Sequence, residues 1–295
     1  MRRPTNVELM LLSTILLWSL NLSVTKFILD NGVAPLSYAT ARYALAGAIF
    51  VAMTLVAERT LRIERRHVRV LLLTAVLLWL NQVCFVLALD ATTASTIGLL
   101  IGTIPIFAAL FGVALGRERL HARFWTAAVI SFLGVALVAT GAGGDVSGSY
   151  AGVALGIVTA ATWAAYSVAV APLMETYSPS RVSAVVIPVA WVLIALVGIP
   201  DTTSQDWDVR WEIWLLLIFA TIGPLVVTNV LWFRVLHRIG PARATLAANL
   251  QPFVAAVLAV VLLSEPLSAL QIAGGVLIAA GLFVARRRTA PAQAA

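Results

Sequence analysis

The chain has 295 residues, of which 61% are hydrophobic and only 11% are charged, and its net charge is +7. Soluble globular proteins carry about 25% charged residues, so this chain has too few to cover a water-facing surface. The composition therefore predicts an all-α integral membrane protein with no soluble domain.

Helical membrane spans are predicted along almost the whole chain. A bilayer core of roughly 30 Å requires about 20 apolar residues per helical crossing. Ten such runs are found, at residues 8–28, 36–57, 68–89, 93–116, 123–141, 151–172, 181–199, 211–235, 241–263 and 269–285. The first run is too long for the core of a signal peptide, and no cleavage site follows it, so we expect it to remain as the first helix.

The first span carries polar and aromatic residues at helical spacing, namely Thr14, Trp18, Asn21 and Thr25. Residues three and four apart lie on one face of a helix. In lipid, polar side chains face the interior of a helix bundle or a wet cavity. We therefore expect Trp18 and Asn21 to line a cavity; packing and hydrogen bonds between helices are the alternative.

Two cations lie within the first two spans, Lys26 and Arg42. An arginine at the centre of a span costs about 2.5–3.5 kcal/mol on insertion scales. One interpretation is that the Arg42 side chain extends to the outer interface. The other is that Arg42, together with Lys26, attracts carboxylates at the outer mouth of a pathway.

The third span has its polar residues near mid-membrane: Trp79, Asn81, Gln82 and Phe85. These residues are further candidates for binding a substrate. The same span holds the single cysteine, Cys84, which excludes a disulfide and is interpreted as a packing residue.

The fourth span opens a stretch that occurs twice in the chain. Residues 102–120 read GTIPIFAALFGVALGRERL, and residues 249–267 read NLQPFVAAVLAVVLLSEPL. A shift of 147 places Pro105 on Pro252 and Glu118 on Glu265, and further on it places Gly134 on Gly281. Proline inside a helix removes a hydrogen bond and bends it. Pro105 and Pro252 are therefore expected well inside their helices, as hinges or as static kinks, and the glutamates are expected to have structural roles.

The distribution of basic residues predicts the topology. With ten crossings and both termini in the cytoplasm, the inner segments hold 17 of the 20 Lys and Arg residues, as the positive-inside rule requires. The loop after Glu118 is basic, whereas the loop after Glu265 has no Lys or Arg. The two copies are thus predicted to be inverted in the membrane.

This reasoning divides the chain into four parts: a first five-helix repeat at 1–141, an outer linker at 142–150, a second five-helix repeat at 151–288 and a cytoplasmic tail at 289–295. Further matches support the repeat. TILLWSLN at residues 14–21 aligns with TAATWAAY at residues 159–166, which places Trp18 on Trp163. Tyr166, Asn229 and Asn249 complete the set of candidate substrate-binding residues in the second half.

Inverted repeats are the architecture of secondary transporters, because one structure then has two mirror-related open states. The chain resembles EamA-type members of the drug/metabolite transporter superfamily in three features. These are the paired tryptophans, the Pro and Glu of the fourth helix of each repeat, and the early arginine of the second helix. The chain is most similar to the bacterial aromatic amino acid exporters among them. That resemblance implies a basket of ten helices around a central cavity, with the fifth and tenth helices at the periphery.

The absence of Asp and Glu from the middle of the spans disfavours multivalent cations as cargo. Aromatic walls with a few amides suit a neutral amino acid, aromatic or bulky and hydrophobic. We expect an exporter in the bacterial inner membrane that contacts its substrate and lipid, needs no cofactor, metal or nucleic acid, and is complete as a monomer. A carrier of another metabolite, such as a nucleotide sugar, or of an amphipathic drug, in either direction, is the alternative. An enzyme or a channel fits poorly, because neither a convergent reactive set nor a filter segment is found.

Overall fold

The computed structural model describes residues 6–115, 122–141, 146–239, 244 and 248–286. All regular elements in these ranges are helical. The α-helices are α1 Asn6–Asp30, α2 Pro35–Glu58, α3 Val68–Ala91, α4 Ala94–Ile101, α5 Ile104–Ala114, α6 Ala122–Gly141, α7 Val146–Val170, α8 Pro179–Val197, α9 Ile199–Ser204, α10 Trp211–Thr221, α11 Thr228–Ile239, α12 Gln251–Leu263 and α13 Ala269–Arg286. Short 3-10 turns lie at Arg65–His67, Ala171–Glu175 and Ala248–Leu250, and Ile222–Val227 is a π-helix.

Among the described residues, seven helical segments are long and apolar enough to cross a membrane: 6–30, 35–58, 65–91, 94–114, 150–175, 179–197 and 211–238. Three shorter apolar helices, 129–138, 253–263 and 269–281, lie within the predicted fifth, ninth and tenth spans. The chain is therefore a multi-pass helical membrane protein. Helix α7 begins at Val146, inside the predicted linker 142–150, of which residues 142–145 lie outside the described ranges.

The fourth predicted span is interrupted, and the helix of the ninth changes type within its described part. In the fourth, α4 ends at Ile101 and α5 begins at Ile104, so that Pro105 lies in the first turn of α5. In the ninth, a 3-10 turn precedes α12, and Pro252 lies in the first turn of α12. The expectation that both prolines lie well inside a helix was wrong. A first-turn N–H has no intrahelical acceptor, so proline is tolerated there without the loss of a hydrogen bond.

Helices α6 and α13 correspond to each other in the two copies and pack closely in opposite directions. A Cβ added to Gly134 would lie 2.6 Å from the carbonyl oxygen of Gly274, and one added to Gly281 would lie 2.7 Å from the carbonyl oxygen of Ala127. The shift of 147 that places Gly134 on Gly281 also places Ala127 on Gly274. Each contact therefore has a counterpart of the same geometry, as two copies related by a twofold axis require. Glycine is needed at these positions because the backbones touch.

The other helices repeat this arrangement around the centre of the protein. Helix α3 packs on α7, and α11 packs on α1, so the third helix of each copy contacts the first helix of the other. Helices α2 and α8 pack together on a second side. Helix α6 packs mainly on α13, with smaller contacts to α4 and α7, which agrees with the peripheral position that the family resemblance implies.

Polar contacts join the two copies near the ends of the helices. The Glu58 carboxylate at the end of α2 accepts a hydrogen bond from Nε of Arg181 on α8 at 2.7 Å. The Glu265 carboxylate accepts hydrogen bonds from the backbone N–H groups of Ala94 at 2.9 Å and Ser95 at 3.0 Å. Glu265 thus satisfies N–H groups at the start of α4 that have no helical partner, which is a structural role. Glu118 lies outside the described residues.

Candidate functional site

A cavity lies where the two copies meet. It encloses about 740 Å³ of space, part of it open to the outside, and residues from α1, α2, α3, α4, α5, α7, the π-helix, α11 and α12 line it. The candidate residues from the sequence that line it are Trp18, Asn21, Arg42, Asn81, Gln82, Phe85, Trp163 and Asn229; Thr159, Thr228 and Gln251 line it as well. Both halves of the chain therefore contribute to the cavity lining. The fourth and ninth spans, in which the helix changes before a proline, both contribute residues.

The two repeat-related tryptophans form one wall of the cavity. The rings of Trp18 and Trp163 meet edge to face, with centroids 5.3 Å apart and planes at 88°. Because the two tryptophans correspond to each other and touch, the axis that relates the copies passes beside them. Their contact leaves no space for a ring between the two tryptophans. An aromatic ligand would pack against the pair.

Trp18 is held more firmly than Trp163. Its Nε1 donates a hydrogen bond to Oγ1 of Thr228 at 2.9 Å, and its ring also contacts buried Trp232, with centroids 5.1 Å apart. The ring of Trp163 contacts that of Tyr166, with centroids 5.4 Å apart. Trp18 is therefore part of the protein core as well as of the cavity wall.

Two predicted binding residues do not line the cavity. Tyr166 is fully buried behind Trp163, where its ring also approaches that of Phe233. Trp79 is partly buried and packs against the hydrophobic core. Both residues lie on helices whose other positions do face the cavity, and the rotation of each helix directs these two side chains elsewhere.

The amides of α3 form an ordered chain. Asn81 Nδ2 donates to the backbone carbonyl of Thr159 at 2.9 Å, and Gln82 Nε2 donates to Asn81 Oδ1 at 3.1 Å. A carbonyl can only accept, so it fixes the orientation of the Asn81 amide, which in turn fixes that of Gln82. The Gln82 Oε1 atom is then left as a buried acceptor without a protein partner.

The remaining amides and threonines divide into two groups. Asn21 and Asn229 line the cavity, and the Oδ1 atom of Asn21 is buried without a hydrogen bond. Thr14 instead donates to the carbonyl of Met10 in its own helix, and Thr25 shares a hydrogen bond with Tyr38. The side chain of Asn249 lies outside the described residues.

The two cations of the first two spans have different surroundings. Arg42 is 3% exposed and lines the central cavity. Lys26 does not line the cavity, and its Nζ lies 2.9 Å from a carboxylate oxygen of Asp30, one turn later. Asp30 therefore neutralises Lys26 locally, whereas Arg42 brings a positive charge to the cavity.

The described lining contains no acidic residue, and no group of three His, Cys, Asp or Glu side chains that could hold a metal is found among the described residues. The arrangement can bind a ligand with an apolar surface and groups that pair with amides and one cation. Sequence reasoning missed several lining residues: Leu22, Tyr43, Leu78, Ile101, Ile104, Pro224 and Leu225. Pro224 was the detectable signal among them, since a proline in a span marks an interrupted helix.

Comparison with known proteins agrees with this architecture. The EamA-like transporter family matches the chain twice, at residues 5–140 and 150–287. No curated protein matches the chain. A solved structure described only as "Crystal structure of protein" has 24% identity and a TM-score of 0.68, with 96% of this chain and 97% of that chain covered. That likeness concerns the fold.

Proposed function

The chain belongs to the EamA-like transporter family, and we propose that it moves neutral amino acids with aromatic or bulky hydrophobic side chains across the bacterial inner membrane. The proposed mechanism is alternating access of a secondary transporter, with export as the net direction. In this proposal the protein has ten spans, both termini are cytoplasmic, and the two repeats are inverted.

One observation carries the proposal: a cavity between the repeats combines an aromatic wall with amides, and its described lining lacks acids. The Trp18–Trp163 pair offers apolar and aromatic surface on one side. Asn21 on α1, Gln82 on α3 and Asn229 on α11 offer hydrogen bonds. Small-molecule sites commonly have this composition, mostly apolar with a few placed polar groups. An amino acid with a large side chain matches both parts.

Two features of the fold support alternating access. Antiparallel packing of α6 and α13 supports an inverted repeat, because corresponding helices then run in opposite directions. In many transporters the substrate site lies at the repeat interface beside discontinuous helices. In the fourth span the helix is interrupted before Pro105, beside cavity-lining Ile104. In the ninth span it changes from a 3-10 helix to an α-helix before Pro252, beside cavity-lining Gln251. We propose these two places as the hinges.

Uptake and counterflow in proteoliposomes test the proposed function. Purified protein should exchange internal unlabelled L-phenylalanine for external labelled L-phenylalanine, and L-leucine and L-tryptophan should compete. L-lysine and L-glutamate should not compete, because the described lining has no acid to pair with the lysine side chain and its one cation, Arg42, leaves a second carboxylate unpaired. Liposomes without protein are the control. Absence of exchange for the whole amino acid panel would refute the proposed cargo.

A further inference from the structure

The central cavity contains a buried positive charge that the described protein does not neutralise. Arg42 is 3% exposed and lies seven residues into α2, about 10 Å along the helix from its start. None of the described acidic residues forms an ion pair with it. Placing an arginine within a span is costly, so such residues mark binding or conduction pathways. A ligand with an acidic group would supply the missing partner.

The fold holds Arg42 by one atom. Its Nε donates to the backbone carbonyl of Ala220 at 3.1 Å. In a regular α-helix that carbonyl would accept from the N–H of residue 224, which is a proline and has none. The chain forms a π-helix at Ile222–Val227 instead. Pro224 therefore leaves an acceptor available, and Arg42 uses it.

The other end of the guanidinium has no such partner. An arginine has five N–H donors, of which Nε carries one. The guanidinium carbon of Arg42 also lies 5.8 Å from the centroid of the Tyr38 ring. The four terminal N–H donors make no hydrogen bond to a described residue and have the geometry that pairs with both oxygens of a carboxylate.

The same cavity has the complementary acceptors. Gln82 Oε1 and Asn21 Oδ1 are buried, accept no hydrogen bond from a described residue and belong to residues that line the cavity. The Asn81–Gln82 chain fixes the orientation of the Gln82 oxygen. Burying a polar atom without a partner is unfavourable, so these oxygens favour a ligand with N–H donors.

We propose that Arg42 binds the carboxylate of the cargo and that the carbonyl oxygens of Gln82 and Asn21 accept hydrogen bonds from its ammonium group. This assignment rests on the proposed amino acid transport and deepens it. It makes Arg42 the residue that requires a free carboxylate. The protein then accepts amino acids and discriminates against the corresponding amides and amines, although all three share the aromatic side chain.

Competition in the wild-type protein tests this without any substitution. Counterflow of labelled L-phenylalanine is measured with unlabelled L-phenylalanine, L-phenylalaninamide or phenethylamine as competitor. Hydrogen bonds to charged groups predict that the amide and the amine compete about 10- to 100-fold more weakly. Competition by the amide within about twofold of the amino acid overturns the assignment. A protein that exchanges no amino acid refutes the proposed function, and the assignment falls with it.

Substitutions locate the discrimination. Arg42→Gln should lose phenylalanine exchange about tenfold or more, and its remaining binding should no longer distinguish acid from amide. Arg42→Lys should keep part of the preference because it keeps the charge. Lys26→Gln is the matched control, since Lys26 pairs with Asp30 outside the cavity, and it should keep the wild-type preference. An Arg42→Gln protein with the wild-type preference overturns the assignment. If that variant does not fold, the wild-type competition decides.

Discussion

Replacing Trp163 with alanine should weaken transport of aromatic cargo selectively. Trp163 lines the cavity, and its ring makes two aromatic contacts within the protein, to Trp18 and to Tyr166. An aromatic contact with the cargo is worth about 0.5–1.5 kcal/mol beyond area burial. At about 1.4 kcal/mol per decade, the apparent affinity for L-phenylalanine should fall about 2- to 10-fold, and that for L-alanine should change less than twofold.

The assay is initial uptake of both amino acids into proteoliposomes, normalised to the folded protein recovered by size-exclusion chromatography. Trp163→Phe is the matched control, because it keeps a ring and should lie between the wild type and the alanine variant. Trp18→Ala should reduce uptake of both amino acids, since it also removes the hydrogen bond to Thr228 and the contact with Trp232. Equal losses for phenylalanine and alanine in Trp163→Ala, or no loss for either, would refute the reasoning.

Three further predictions test the hinges, the role of Glu265 and the membrane topology. Pro105→Ala and Pro252→Ala should change the free energy of unfolding by about 0.5 kcal/mol or less, because both prolines lie in the first turns of their helices. Phenylalanine exchange should nevertheless slow, and unchanged exchange in both variants rejects the hinge role. Glu265→Gln should lower the melting temperature, since it removes the charge that accepts hydrogen bonds from the start of α4. Glu212→Gln, in the exposed Arg210–Glu212 pair, should not, and equal melting temperatures for the two variants would contradict the structural role of Glu265. Cysteines introduced at Arg119 and at Pro266 in a Cys84→Ala background should react with an impermeant maleimide from opposite sides of the membrane; reaction from one side would remove the inverted topology.

The overall class and the repeat could be predicted because their signals are local. Apolar runs of span length are visible in any window of the chain, and the family match at 5–140 and 150–287 confirms the two copies. The pairing of Gly134 with Gly281 also followed from the shift of 147, and these two glycines lie at equivalent close contacts of α6 and α13. Such pairs are recognisable because close backbone approach tolerates few residue types.

The rotation of each helix was harder to predict. A membrane helix is apolar on all sides, so the apolar stripe that orients a helix in a soluble protein is absent. Trp79 and Tyr166 were assigned to the cavity by their neighbours in sequence, and both face the protein interior instead. Asn81 and Gln82 were assigned correctly because amides must find polar partners in an apolar surrounding.

The surroundings of Arg42 and the break at Pro105 depend on three-dimensional packing. Arg42 is held at the cavity by the Ala220 carbonyl near the end of α10, nearly 180 residues later, which Pro224 and the π-helix leave available. No pattern within α2 contains that information. The break between α4 and α5 likewise begins before Pro105, at Gly102 and Thr103, so proline marks the start of the second half-helix and not the centre of a continuous one.

Access of the central cavity from both sides of the membrane tests the main claim most directly. Ile104 lines the cavity but has no assigned ligand role, so a cysteine there reports on access alone. In Ile104→Cys, Cys84→Ala protein, an impermeant maleimide should react when added to either side, and saturating L-phenylalanine should slow both reactions. Reaction from one side only, or rates that L-phenylalanine leaves unchanged, would contradict an amino acid site that opens alternately to the two sides.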